Sequence, residues 1–294
     1  MRVLLTGATG FVGGALAARL CGEGHAVHAV IRPTSDAGRL PAGVIPHVHD
    51  GRTDTLIAIV AAAAPEVVIH AASLFVAQHR PADIEPLVAA NLLFGTQLLE
   101  AMDLAGVRRL VNTGTSWQHY RGDGFEPVNL YAATKQAFEA LLDYYVAARG
   151  FAAVDLLLYD TYGPGDPRRK VLALLLGLAR DGGALEMSPG EQKLDLVHID
   201  DVCDAFLAGL GVVAAPGRRS HAVASGRLVT LKELAGIVEG VTGRPLRIAW
   251  GARPYRDREV MLPWPGRGPL PGWRAKVALE AGIAATWEAF TCTR

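Results

Sequence analysis

Short, unbroken apolar runs recur along the first half of the chain. Arg2-Val3-Leu4-Leu5, Ala26 to Arg32, Val44 to Val48, Val67 to Ala72, Val107 to Asn112 and Phe151 to Leu158 are rich in β-branched residues and leucine. Runs without polar alternation suit strands buried on both faces of a parallel sheet. Between them lie longer stretches with helical spacing: Ala15 to Leu20, Thr55 to Ala64 stopping before Pro65, Ile84 to Gly106, and the segment following Asn129. Strand and helix in strict alternation predict an α/β fold with a parallel sheet of at least six strands.

After Leu158 the alternation loosens. Tyr159 to Gly165 reads as a turn, Val171 to Arg180 as a helix ended by Gly182-Gly183, and the run from Lys193 as a strand whose Asp200 caps a helix over Val202 to Leu210. Residues 211–220 read as a Gly-, Ala- and Pro-rich connection, and His221 to Ala224 as a strand. Thr230 with Glu233 three residues on is the capping-box spacing ahead of a helix over Leu231 to Val241. The Pro-, Arg- and Trp-rich stretch 244–274 is expected to be irregular, with a short terminal helix over Arg274 to Ala281. At 294 residues the chain has room for a large domain, 1–160, and a smaller one, mainly 161–294, with interleaved segments.

Charge narrows the partners. Lys plus Arg and Asp plus Glu balance at 29 each, so no net field draws the protein to nucleic acid or to an acidic membrane. The basic run Arg168-Arg169-Lys170 reads as a solvated turn. The apolar runs Ile57 to Ala64 and Phe206 to Ala215 fall short of the about 20 residues that cross a bilayer. Cys21, Cys203 and Cys292 are scattered and odd in number, which suits a reducing compartment, the cytoplasm, rather than a disulfide framework. No His-Glu-x-x-His or close helical histidine pair suggests a metal.

Candidate chemistry begins where the first strand ends. Thr6-Gly7-Ala8-Thr9-Gly10-Phe11-Val12-Gly13 places glycines three apart between a strand and a helix. Gly7 suits a special turn conformation, Gly10 the approach of a phosphate, and Gly13 close helix packing, with the N–H groups of the helix start as an anion site. Arg32 at the end of the second strand suits the extra phosphate of NADP(H), while Asp36 keeps NAD(H) as the alternative. Asp50, beside Gly51, stands past the third strand, where it binds an adenine amino group or caps a helix. Ala71 and Ala72 are small enough to admit a cofactor at the sheet edge. Asn91, inside an apolar helical run, needs buried partners. Tyr131 and Lys135, four apart, share a helix face, and an ammonium one turn away lowers the pKa of a phenol for acid–base work.

Thr6 to Gly13, Tyr131-Ala132-Ala133-Thr134-Lys135, Tyr162-Gly163-Pro164-Gly165 and His198-Ile199-Asp200-Asp201-Val202 together resemble the extended short-chain dehydrogenase/reductases, in particular the NAD(P)-dependent epimerase/dehydratase group acting on nucleotide-diphosphate sugars. The resemblance covers nearly the whole chain. It implies a doubly wound Rossmann-type cofactor domain, a mainly C-terminal substrate domain, and a homodimer formed through Leu92 to Met102 and Phe138 to Tyr145. The cofactor residues it implies are Gly7, Thr9, Gly10, Phe11, Val12, Arg32, Asp50, Gly51, Ala71, Ala72, Asn91, Tyr131, Lys135 and Tyr159. The catalytic hydroxyl carries over to Thr113, with Thr115 second, because Asn112-Thr113-Gly114-Thr115-Ser116-Trp117 departs from the usual serine-rich segment. Asp160 stands where the group often has asparagine.

Tyr131, Lys135 and one of the two threonines imply hydride transfer between nicotinamide and a sugar carbon. A 4,6-dehydratase needs an Asp-Glu pair after the strand-five threonine; Gly114 and Thr115 occupy those places. His79 and His119 are the available extra acid–base groups for a 3,5-epimerising reductase. Arg32 favours a reductase that exchanges NADP(H). The reading is an NDP-4-keto-6-deoxyhexose 4-ketoreductase resembling abequose-type synthases, with a CDP- or dTDP-linked substrate. An NAD-dependent NDP-hexose 4-epimerase is the alternative, and a non-catalytic NADP(H)-binding regulator a third reading. Lys193, Arg253 and Arg256 are candidates for the diphosphate, and Trp250 and Tyr255 for stacking on the base.

Overall fold

The computed structural model describes residues 1–266 and 268–292. Seven strands run parallel in one sheet: β1 (Arg2–Thr6), β2 (Ala26–Ile31), β3 (Ile45–Val48), β4 (Val67–His70), β5 (Arg109–Thr115), β6 (Ala152–Leu158) and β10 (Gly217–Val223). Their spatial order is β10-β6-β5-β4-β1-β2-β3, so the chain reverses direction across the sheet between β1 and β4. In such a sheet the crevice at the reversal, outside the carboxyl ends of the strands, is the ligand site. This is the doubly wound Rossmann-type fold expected from the alternation.

Helices cover both faces because both faces of the central strands are largely apolar. α1 (Phe11–Gly22) and α7 (Ile199–Val212) bury Leu16, Leu20, Phe206 and Leu210 on one side. On the other lie α2 (Thr53–Ala63), α4 (Phe94–Leu104) and α5 (Leu130–Arg149), burying Leu56, Leu98, Phe138 and Leu142. Gly95 lets α4 approach α5, since a Cβ there would stand 2.5 Å from the Phe138 ring. A third core joins α6 (Val171–Asp181), α8 (Leu231–Thr242) and α9 (Leu279–Cys292) to a small sheet of β7 (Asp160–Tyr162), β9 (Lys193–His198) and β11 (Leu228–Thr230). β8 (Leu185–Met187) pairs with β12 (Ile248–Trp250) beside it.

Several expectations are corrected. The last four residues of the expected 211–220 connection are strand: β10 starts at Gly217 and pairs along all of β6. The terminal helix is Leu279–Cys292, not Arg274 to Ala281. His198, not Asp200, caps α7: its Nδ1 accepts the Asp200 N–H at 3.3 Å. The long helix after β4 is broken into α3 (Ile84–Val88), a π turn over Ala89–Leu93, and α4. The helical run Pro81–Leu104 is also long and apolar enough to cross a membrane by length and composition. Its buried face packs on α2 and α5. The capping box forms as spaced, with Glu233 N–H on Thr230 Oγ1 at 3.1 Å and Thr230 N–H on Glu233 at 2.6 Å.

Candidate active site

The glycine turn after β1 is built around close backbone contacts. Gly7 has φ +79°, and a Cβ on it would lie 2.7 Å from the backbone nitrogen of Ala72. Gly10 caps α1, and its N–H donates to the Gly7 carbonyl at 2.9 Å. No side chain caps α1, so the helix start faces the crevice with its N–H groups and a bare glycine. Thr9, Phe11 and Val12 are half-buried around it. Such a cradle fits a dinucleotide pyrophosphate. Thr6 ties the turn to β4: its hydroxyl accepts the Ala72 N–H at 3.1 Å and lies 2.9 Å from His70 Nδ1.

At the adenosine end, Arg32 is exposed and its guanidinium makes no ion pair among the described residues. Asp36 instead caps a short turn, accepting the Gly38 N–H at 2.9 Å. Asp50 is exposed and accepts the Arg52 N–H at 3.0 Å, a bond that holds its carboxyl below the usual range. Gly51, with φ +95°, is tethered through its carbonyl to Gln97 at 3.0 Å.

Tyr131 and Lys135 lie on one face of α5, whose first turn is capped by Asn129 accepting the Ala132 N–H at 2.9 Å. Burial pushes the Tyr131 phenol up, opposed by a hydrogen bond with Ser73 and by the charge of Arg168. Lys135 is 2 % exposed, and burial lowers its ammonium to about 8 against the pull of Glu139 and Asp155. The groups that oppose burial at Tyr131 are therefore Ser73 and Arg168, neither of which the helical spacing could reveal. Phe75 meets the Tyr131 ring edge-on at 5.0 Å.

Asn91 sits in the π turn, 1 % exposed. Its Oδ1 accepts the Leu74 N–H at 2.8 Å and the Ser73 hydroxyl at 3.2 Å, while its Nδ2 donates to Leu74 O and to Thr134 Oγ1, both at 3.0 Å. Thr134 in turn donates to the Tyr131 carbonyl at 2.7 Å. The amide is thus spent on joining the loop after β4 to α5 behind Tyr131. Tyr159 is likewise committed: its hydroxyl donates to the Trp264 carbonyl at 2.5 Å.

Of the two threonines at the end of β5, Thr113 has a buried hydroxyl with no hydrogen-bond partner among the described residues. The Thr115 hydroxyl accepts the Trp117 N–H at 3.3 Å and its N–H donates to Gln118 at 2.9 Å. His119, a candidate acid–base group, is 4 % exposed and stacks on Trp264 with centroids 3.9 Å apart. His79 is an exposed loop residue.

Of the basic run after β7, Arg169 is exposed as a solvated turn predicts, and its two neighbours are not. Arg168 and Lys170 are half-buried, facing aromatic rings that edge the sheet: Arg168 lies 4.6 Å from the Phe11 centroid and Lys170 5.9 Å from that of Phe75. Arg256 stands over Trp117 at 5.8 Å in the same manner. Lys170 also lies 3.4 Å from Asp160. Of the other candidates for the diphosphate and base, Lys193 is exposed, Arg253 faces Glu186 at 3.6 Å, Tyr255 accepts the Glu191 N–H at 3.1 Å, and Trp250 packs against the third core.

Residues 3–220 match the NAD dependent epimerase/dehydratase family. The chain belongs to that family. Family membership makes it an NAD(P)-dependent oxidoreductase-type enzyme. Among its curated relatives, CDP-abequose synthase of Yersinia pseudotuberculosis is 27% identical over 270 residues, covering 90% of this chain and 92% of the relative. UDP-glucose 4-epimerase of Mycolicibacterium smegmatis is 29% identical over 318 residues, covering 99% and 98%. The crystal structure of Thermus thermophilus UDP-glucose 4-epimerase in complex with NAD superposes with TM-score 0.84 at 26% identity, covering 100% of both chains.

Proposed function

We propose that this enzyme reduces the 4-keto group of a CDP- or dTDP-linked 4-keto-6-deoxyhexose, with NADPH as donor. The observation that carries this reading is the presence, along one sheet edge, of a cation without an ion pair among the described residues at the end of β2, the Tyr131–Lys135 pair on α5 and a buried, unpartnered threonine hydroxyl on β5. Arg32 matches a 2′-phosphate, and the local acid, Asp36, is engaged as a cap. The similarity to CDP-abequose synthases supports a synthase of this class.

A nicotinamide dinucleotide held in this cradle would supply the hydride. Gly7, Gly10 and the start of α1 hold the pyrophosphate, with Thr9, Phe11 and Val12 around it. Asp50 and Gly51 flank the adenine, and Ala71 and Ala72 admit the dinucleotide to the sheet edge. Tyr131 gives its proton to the sugar oxygen as the alkoxide forms, while Lys135, Arg168 and the Ser73 hydroxyl favour the phenolate left behind. Thr113 donates a hydrogen bond to the same oxygen, with Thr115 as the second hydroxyl. Asn91 and Tyr159 act as scaffold. The part of the chain after residue 160 holds the substrate, with Arg168 and Lys170 near its diphosphate. We place the enzyme in the cytoplasm as a homodimer, with exposed Leu93 and Tyr144 on the α4–α5 face at the contact.

The second reading, an NAD-dependent NDP-hexose 4-epimerase, is favoured by the whole-chain similarity to UDP-glucose 4-epimerases. One experiment separates them. Purified protein is given NADPH or NADH with enzymatically generated CDP- or dTDP-4-keto-6-deoxyglucose, and reduced-nicotinamide absorbance and sugar product are followed. Consumption that Tyr131→Phe abolishes supports the reductase. No consumption, with NAD released on denaturation and UDP-hexoses interconverted, supports the epimerase.

A further inference from the structure

One row of polar side chains crosses the sheet beneath α5. Thr6, His70, Asn112, Asp155 and Ser220 are register partners on β1, β4, β5, β6 and β10. Asn112 donates to Asp155 Oδ1 at 2.7 Å and Ser220 to Asp155 Oδ2 at 3.1 Å. Burying such a row is costly unless it is paired and has a use.

Its charged part lies behind Lys135. Glu139, one turn further along α5, is 3 % exposed. Arg218 reaches in from β10, and its Nη1 donates to Glu139 Oε2 at 2.7 Å and to Asp155 Oδ2 at 2.8 Å. The other face of the guanidinium pairs with Asp143 at the surface, at 2.7 Å. Gln118 donates to Glu139 Oε1 at 2.7 Å, and its own Oε1 accepts the Thr115 N–H at 2.9 Å. Two buried carboxylates thus share one half-buried guanidinium, and their field favours the nearby Lys135 ammonium.

Building on the reading of Tyr131 and Lys135 as the reacting pair, we infer that Glu139 is a positioning residue for the reaction: clamped by Arg218 and Gln118 one helical turn beyond Lys135, its carboxylate favours the Lys135 ammonium through its field rather than by a direct ion pair, and through Gln118 it sets the end of β5. The titratable groups around Lys135 are Glu139 and Tyr131 on its own helix, Asp155 on β6 and His70 on β4, with Arg218 on β10 behind the carboxylates. His70 is neutral at working pH, held down to about 3 by burial. Only Glu139 and Asp155 oppose the burial that lowers Lys135.

The test is Glu139→Gln, which keeps shape and hydrogen-bonding capacity and removes the charge. The pH profiles of kcat and of NADPH affinity are measured from pH 6 to 10. With one carboxylate fewer, the ammonium loses its proton earlier, so the alkaline limb of both profiles moves about one pH unit lower. The KM for the keto sugar changes less than kcat. Glu139→Asp restores the limb in part. Arg218→Lys keeps a cation without the fork and moves the limb in the same direction by less. A limb that stays in place while the rate falls uniformly at every pH overturns the inference, as does normal turnover in all three variants. Unchanged turnover in Tyr131→Phe refutes the underlying reading instead, and the NADPH-affinity profile still reports on Lys135.

Discussion

A Cβ on Gly13 would stand 2.1 Å from the carbonyl oxygen of Gly7 and 2.6 Å from its carbonyl carbon. The first turn of α1 therefore rests on the backbone of the glycine turn, and no rotamer relieves the overlap because the opposing atoms are backbone. Gly13→Ala forces the helix away from the turn, at a cost of about 1–3 kcal/mol. Denaturant titration of apo-protein reads the stability loss. Dinucleotide binding, followed by fluorescence, weakens further, because the N–H groups of the helix start leave the phosphate position. Wild-type affinity in Gly13→Ala contradicts this assignment of the cradle.

Among the described residues the Arg32 guanidinium makes no ion pair, so its removal leaves no charge there unpaired. Arg32→Ala is expected to leave folding and NADH affinity unchanged while weakening NADPH binding by about tenfold or more, the worth of a charge-assisted bond of roughly 1.5–3 kcal/mol. Paired dissociation constants for the two coenzymes check it. Equal losses with both, or no loss with either, remove Arg32 from the 2′-phosphate site.

His70 couples the fold to pH. Buried beneath Lys135 and between the rings of Phe94 and Phe138, it takes up a proton only near pH 3, against 6.5 as its ordinary value. The unfolded chain binds that proton first. Stability contributed by neutral His70 is therefore fully present above about pH 6.5 and is lost as pH falls toward about 3, at about 1.4 kcal/mol per pH unit. His70→Asn, which keeps a hydrogen-bonding group near Thr6, is expected to flatten the acid slope by one proton while lowering stability at neutral pH. His28, His47, His49, His198 and His221, whose pKa values burial also lowers, add to the slope that remains. Denaturant melts between pH 7 and 4 give the comparison.

What was legible in advance is what local spacing encodes. A parallel strand buried on both faces is mostly apolar, so β1, β2, β4 and β6 stand out in the chain. Glycines three apart announce a strand–turn–helix, and Tyr131 with Lys135 announces a shared face. Polar residues inside strands are ambiguous by the same logic. Asn112 and Asp155 read locally as interruptions, and become partners only when β5 and β6 lie side by side. β10 was obscured because Arg218, Arg219 and Ser220 make an apolar-poor strand, whose polarity is matched by Glu139, Asp155 and Asp143 from distant segments.

The sequence by itself determined the α/β class, the turn that cradles a phosphate and the spacing of the phenol and the ammonium, because each follows from backbone geometry over a few residues. Only the tertiary structure decided which groups surround that pair. Ser73 and Arg168 reach Tyr131 from other strand ends, Asn91 braces it from a π turn, and Arg218 stands behind Lys135 from a strand 83 positions later in the chain. Hydrogen bonds and charges act over a few ångströms regardless of separation along the chain. They become specific only once burial has brought those segments together and removed the water that would satisfy each group alone.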